Sequence, residues 1–217
     1  MPPHQRFDDR KRILLAQECA KILAEEGIKD YLLAKRKAAA RLGLSTKTAL
    51  PTNAEIEQAL IEYQRLFKSS QQPLELHSLR MTALEAMRFL ERFQPRLVGP
   101  VLTGTAAQYS EVNLHLFADT TEEIMIFLMD RCIRFESSQR RLRVSNGEYI
   151  NFPVIVFSAD GVTVDLTIFP QQFKHESPRS PVDGRPMQRA NFVEVQEIVA
   201  QREKQKEEPI SKLPAPL

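Results

Sequence analysis

Apolar residues recur at helical spacing through the first 94 positions and at alternating spacing through the next 75, so the chain reads as helices followed by a sheet. The first helix opens at Asp8-Asp9, after about seven loose residues, and carries Ile13, Leu14, Ala16, Ala20, Ile22 and Leu23 as its stripe before Gly27 ends it. A second runs from Asp30 to Leu42 on Tyr31, Leu32, Ala34, Ala38 and Leu42. Thr52 and Glu55, three residues apart, make a reciprocal cap for a third that buries Ile56, Ala59, Leu60, Tyr63, Leu66 and Phe67. After a loop over Ser69 to Pro73, a fourth from His77 to Arg92 presents Leu79, Ala83, Leu84, Met87, Leu90 and Phe93.

Past Pro95 the residues turn β-branched. Strands are expected over Leu97 to Thr103, Val112 to Phe117, Phe135 to Val144, Tyr149 to Ser158 and Val162 to Phe169, with hairpin turns at Asn146-Gly147 and Asp160-Gly161. Pro153 implies a bulge or an edge in the fourth of these. Between the second and third, Asp119 to Glu123 caps a helix carrying Ile124, Phe127, Leu128 and Cys132. Four prolines (Pro170, Pro178, Pro181, Pro186) mark a long irregular passage before Asn191 caps a last helix with Val193, Ile198 and Val199 inward. The resulting fold class is α+β: a helical N-terminal region over 1–94, a sheet domain over 95–170, a basic proline-rich loop and C-terminal helix over 171–204, and a disordered tail over 205–217.

Alternation assigns the polar groups. Val112, Leu114 and Leu116 share one side of their strand, and Glu111, Asn113, His115 and Phe117 the other. In the last strand Val164, Leu166 and Ile168 oppose Asp165. If the two strands are neighbours, Glu111, Asn113 and Asp165 converge. A strand, a glycine turn at Gly104-Thr105, an acid-apolar-polar-apolar strand and one acid on a later strand resemble the nucleotidyltransferase superfamily of the DNA polymerase beta type, over residues 97–170.

In that family three carboxylates hold divalent metal. The resemblance implies that Glu111 and Asp165 hold magnesium, one ion rather than two, because Asn113 stands where the second acid would be. It also implies that Gly104 and Thr105 meet a nucleoside triphosphate, with Arg179 or Arg185 steadying its charge. The implied activity is transfer of a nucleoside monophosphate to a hydroxyl of RNA, protein or a small molecule. The alternative is a catalytically silent relative that binds nucleic acid or a protein partner, and a third reading is a structural adaptor using the N-terminal helices.

Composition changes this picture little. The 217 residues are 42% hydrophobic and 27% charged, as in an ordinary globular protein. Thirty basic against twenty-eight acidic side chains leave +2, so any anion site must come from local patches. Lys35, Arg36, Lys37 and Arg41 form one such run, either a solvated helix surface or a phosphate-following one. Arg140, Arg141 and Arg143 in the hairpin, and Arg179, Arg185 and Arg189 in the loop, are the best phosphate candidates, because a guanidinium matches phosphate with a fork. Cys19 and Cys132 lack metal-ligand spacing and read as buried thiols of a reducing cytoplasm. No apolar run approaches the roughly 20 residues of a spanning helix, the N-terminus lacks an apolar signal core, and no membrane association is expected.

Overall fold

The structure is a computed structural model that describes residues 3–28, 30–44, 50–68, 71–106 and 110–207. Helices α1 (Pro3–Glu26), α2 (Tyr31–Arg41), α3 (Asn53–Phe67) and α4 (Gln72–Phe89) precede strand β1 (Arg96–Val98), the single turn α5 (Pro100–Thr103), β2 (Val112–Phe117) and α6 (Thr121–Met129). Then come β3 (Phe135–Arg143), β4 (Tyr149–Ala159), β5 (Val162–Phe169) and α7 (Phe192–Glu207). The protein is α+β, with a helical N-terminal region, a five-stranded mixed sheet and a C-terminal helix. No helix among the described residues is long and apolar enough to cross a membrane.

The strand order is β1-β2-β5-β4-β3. β2 and β5 run parallel at the centre and the other pairs are antiparallel. Since β2 cannot reach a parallel neighbour through a tight turn, the chain crosses by way of α6 to the far edge and returns through two hairpins. Leu97 and Ala190 exchange backbone hydrogen bonds of 2.8 and 2.9 Å, which covers the outer side of β1. One sheet face carries Val112, Leu114, Leu116, Val164, Leu166 and Ile168, and it packs under α4, α6 and α7. The other is closed at one end by Phe117, Val144, Phe152, Phe169 and Phe173. Helices α1 to α3 bury their own apolar clusters around Leu15, Cys19, Ile22, Ala34, Ala38 and Ile56.

Several expected details are corrected. Helix α1 begins at Pro3, with no loose lead of seven residues, and turns Ile13 and Leu14 outward. In α2, Leu32 and Leu42 are exposed while alanines make the contact. Leu66 and Phe67 are exposed at the end of α3, and α4 starts at Gln72, inside the expected loop. The strand expected over Leu97–Thr103 stops at Val98, because Gly99 at φ 72° breaks the extended run and Pro100 is already shaped for a first helical position. Cys132 lies past the end of α6 with φ 55° and is exposed. Val193 is exposed and Val195 takes its inward place. Helix α7 continues through 205–207, and the rest of the expected tail, 208–217, lies outside the described residues. Of the two expectations for Pro153, a bulge or an edge, the edge is found. The residue faces Gln139 of β3, one residue beyond the end of the β4–β5 ladder, where its missing amide costs nothing.

Candidate functional site

The parallel register sets Asn113 beside Asp165 and His115 beside Thr167. Registered neighbours share a face, about 4.8 Å apart. Glu111 and Asn113 are half-buried, whereas Asp165 is 4% exposed and Thr167 2%. What lies over Asp165 is Arg140 of β3. Its Nη1 donates to Oδ1 at 2.9 Å and its Nη2 to Oδ2 at 2.7 Å, a fork-to-fork pair, and Nη1 also donates to Thr167 Oγ1 at 3.1 Å. That hydrogen bonding, with the charges of Asp165 and Glu111, holds the guanidinium's pKa above its ordinary value. Arg140 therefore sits within the field of both acids.

Asn113 is engaged by its own strand. Its Nδ2 donates to the Glu111 carbonyl at 3.2 Å. The backbone of Gly99 comes against the same side chain: a Cβ there would lie 3.4 Å from Nδ2. Among the described residues no group of three or more His, Cys, Asp and Glu could hold a metal ion. The residues present fit magnesium poorly. Both Asp165 oxygens already accept from a cation, and Asn113, where the second acid would stand, is neutral.

Gly104 and Thr105 are held by side chains of α3 and α4. Gly104 caps α5, its amide donating to the Pro100 carbonyl at 2.9 Å, and the Ala106 amide donates to the same oxygen at 3.1 Å. Thr105 is buried with its hydroxyl 3.2 Å from that of Thr103. The turn is fastened through its carbonyls by three helix side chains. Arg80 donates to Val101 and Leu102, Gln64 to Thr105, and Gln72 to Gly104 and Ala106, at 2.8 to 3.2 Å. The amides a phosphate would use at Gly104 and Ala106 are thus spent, and the glycine that ends β1 beside Asn113 is Gly99.

Beyond Asn113 the face is closed by His115 and Arg189. Arg189 Nε donates to His115 Nδ1 at 3.0 Å, so the proton of the neutral ring is on Nε2. Arg189 Nη1 donates to the Phe173 and Glu176 carbonyls at 2.8 and 2.9 Å, and the guanidinium lies 5.1 and 5.0 Å from the ring centroids of Phe117 and Phe169. Burial, with the charges of Arg189 and Arg140, keeps His115 well below its usual pKa. Burial and the nearby Arg96 lower Arg189 to about 10. Arg189 Nη2 is buried without a partner among the described residues.

Arg179 and Arg185 lie in the loop fastened to the β3–β4 hairpin. The Arg179 amide donates to the Arg143 carbonyl at 2.7 Å and its Nη2 to the Ser145 carbonyl at 3.2 Å, which ties the loop to the hairpin tip. Arg185 is largely exposed, 3.9 Å from Asp183. Arg141 lies 4.8 Å from the ring centroid of Tyr149, itself 58% exposed. In the N-terminal run, Lys37 pairs with Glu26 at 2.5 Å and Arg41 with Glu18 and Glu26, so those two cations answer the chain's own acids.

Sequence reasoning placed Glu111, Asn113 and Asp165 on one face but missed what fills it. Arg140 read as a phosphate candidate, and the clasp of Gln64, Gln72 and Arg80 left no periodic signal. Gly99 could have been found from the Gly-Pro pair that follows the apolar Leu97 and Val98. Neither the known protein-family models nor the curated proteins include a match to this chain.

Proposed function

We propose that this chain is a nucleotidyltransferase-type scaffold that binds nucleic acid without transferring nucleotides. The observation that carries the reading is the forked contact of Arg140 on Asp165, which puts a resident cation where the family resemblance calls for magnesium. A second cation there would have to displace a buried, charge-assisted pair and would meet only one further acid, Glu111.

The binding surface in this proposal is the end of the β3–β4 hairpin with the loop fastened to it. It offers Arg141 stacked on exposed Tyr149, together with Arg143, Arg179 and Arg185. Guanidiniums beside an exposed ring suit the phosphates and unstacked bases of single-stranded RNA. Two cysteines outside any disulfide fit a cytoplasmic setting. Fluorescence titration against a uridine oligonucleotide at several salt concentrations tests the idea. Binding should weaken as salt rises, and replacing Arg141, Arg143 and Arg185 by Gln should flatten the logarithmic slope by about 2, near 0.7 per lost phosphate contact. Salt-independent binding, or a slope unchanged by the triple replacement, would refute it.

A transferase reading keeps the same residues. It needs Arg140 to swing off Asp165 as magnesium and a triphosphate enter.

A further inference from the structure

A cavity of about 520 Å3 opens between the end of α4, the segment 94–96 and the start of α7. Met87, Pro95 and Val193 give it apolar walls, and Arg88, Glu91 and Arg96 supply its charges. The Arg88 guanidinium is set 5.5 Å from the centroid of the Phe192 ring, which holds its planar group as part of the wall. Neither Arg88 nor Arg96 forms an ion pair among the described residues. Glu194, the next acid on α7, is spent: its Oε2 accepts from the Asn191 amide at 2.6 Å.

The charges lining the cavity therefore sum to +1, from two guanidiniums and one carboxylate. Arg96 also bears on Arg189, whose pKa its charge helps to lower, so the two guanidiniums add to one positive field. The cavity sets convergent polar groups beside apolar walls, the combination by which small-molecule pockets fix a ligand's orientation. Guanidiniums without carboxylate partners are what select an oxyanion for it.

We propose that this cavity binds a small organic oxyanion, a carboxylate or phosphate ester on a flat apolar body, its oxygens on Arg88 and Arg96 and its body against Met87, Pro95 and Val193. Glu91 would discriminate against compact, highly charged anions and leave room for a donor on the ligand. The site lies apart from Asp165 and Arg140, so it stands or falls independently of the nucleic-acid reading.

Amide-resolved NMR of the full chain, titrated separately with benzoate, phenyl phosphate, benzamide and inorganic phosphate, tests the assignment. Benzoate or phenyl phosphate should shift the amides of Gln94, Arg96, Phe192 and Val193 saturably, with a Kd below about 1 mM. Whichever binds tighter names the head group. Arg88→Gln with Arg96→Gln should weaken that binding at least about tenfold, as loss of charge-assisted bonds requires. Equal binding of benzamide would mean that no anion is read, and inorganic phosphate binding as tightly as phenyl phosphate would mean a diffuse charge effect. Either outcome overturns the proposal, as does the absence of saturable shifts at these four amides, a result that needs no variant to fold.

Discussion

Arg140 and Asp165 are locked together across β4, the guanidinium of one strand donating through both Nη atoms to both carboxylate oxygens of another two strands away. Asp165 is almost wholly buried and Arg140 remains 41% exposed along its side chain, so water screens only the basic partner. Removing Arg140 leaves a buried acid without its cation. Arg140→Ala should cost about 2–3 kcal/mol, somewhat below the roughly 3–5 of a fully buried pair because of that screening. Urea denaturation measures it. Arg140→Lys should recover only part of the loss, since an ammonium cannot make two parallel bonds. A loss below about 0.5 kcal/mol for the alanine variant would put the pair among ordinary surface contacts.

His115 gives the protein a dependence on acid. Its folded pKa is depressed by burial and by Arg189 and Arg140, so below about 6.5 the unfolded chain takes up a proton that the folded chain refuses. This contribution is fully present above that pH and falls away as pH drops, by up to about 1.4 kcal/mol per unit. Thermal unfolding between pH 7.5 and 5.0 should show the loss, and His115→Phe should flatten it, with Arg189 losing its Nε acceptor in exchange.

Gly99 is held at a positive φ with its Cα against Asn113. Gly99→Ala brings a Cβ into ordinary contact with Asn113 Nδ2, but φ 72° with ψ −156° is a backbone region open almost only to glycine, so the strain should cost about 1–3 kcal/mol. Gly161 offers the contrast: it also has positive φ, but no atom lies near its missing Cβ. Gly161→Ala should therefore cost less, as paired denaturation curves would show.

The clasp on residues 101–106 predicts local effects. Gln64→Ala removes the buried donor to the Thr105 carbonyl and should cost about 1–3 kcal/mol. Hydrogen exchange should quicken at the Gly104 and Ala106 amides before it quickens in β2 and β5. Uniform quickening over the sheet would mean that the turn is not held separately.

Much of the architecture was written in local patterns. Alternation over 111–117 and 162–169 fixed which side chains share a face, and the Thr52–Glu55 spacing marked a helix start that forms with both reciprocal bonds. Local pattern could not report that β3 returns beside β4 with Arg140 in reach of Asp165, because that contact spans 25 residues and depends on strand order. The same limit hid the donors from α3 and α4 to residues 101–106. Gly104 attracted attention as the glycine turn ahead of Glu111, while Gly99 is the glycine set against Asn113 because β1 and β2 pair at Val98 and Asn113. Exposed apolar groups such as Leu66 and Phe67 misled in the other direction, since helical periodicity continues past the point where a neighbour is present to cover it.

Calorimetric titration of the protein with magnesium tests the central claim most directly. With Arg140 on Asp165 the native chain should give no saturable heat, and Arg140→Gln combined with Asn113→Asp should gain a site that Glu111→Ala removes again. Saturable binding of magnesium by the native chain, abolished by Glu111→Ala or Asp165→Asn, would contradict the account and restore a metal-dependent transferase.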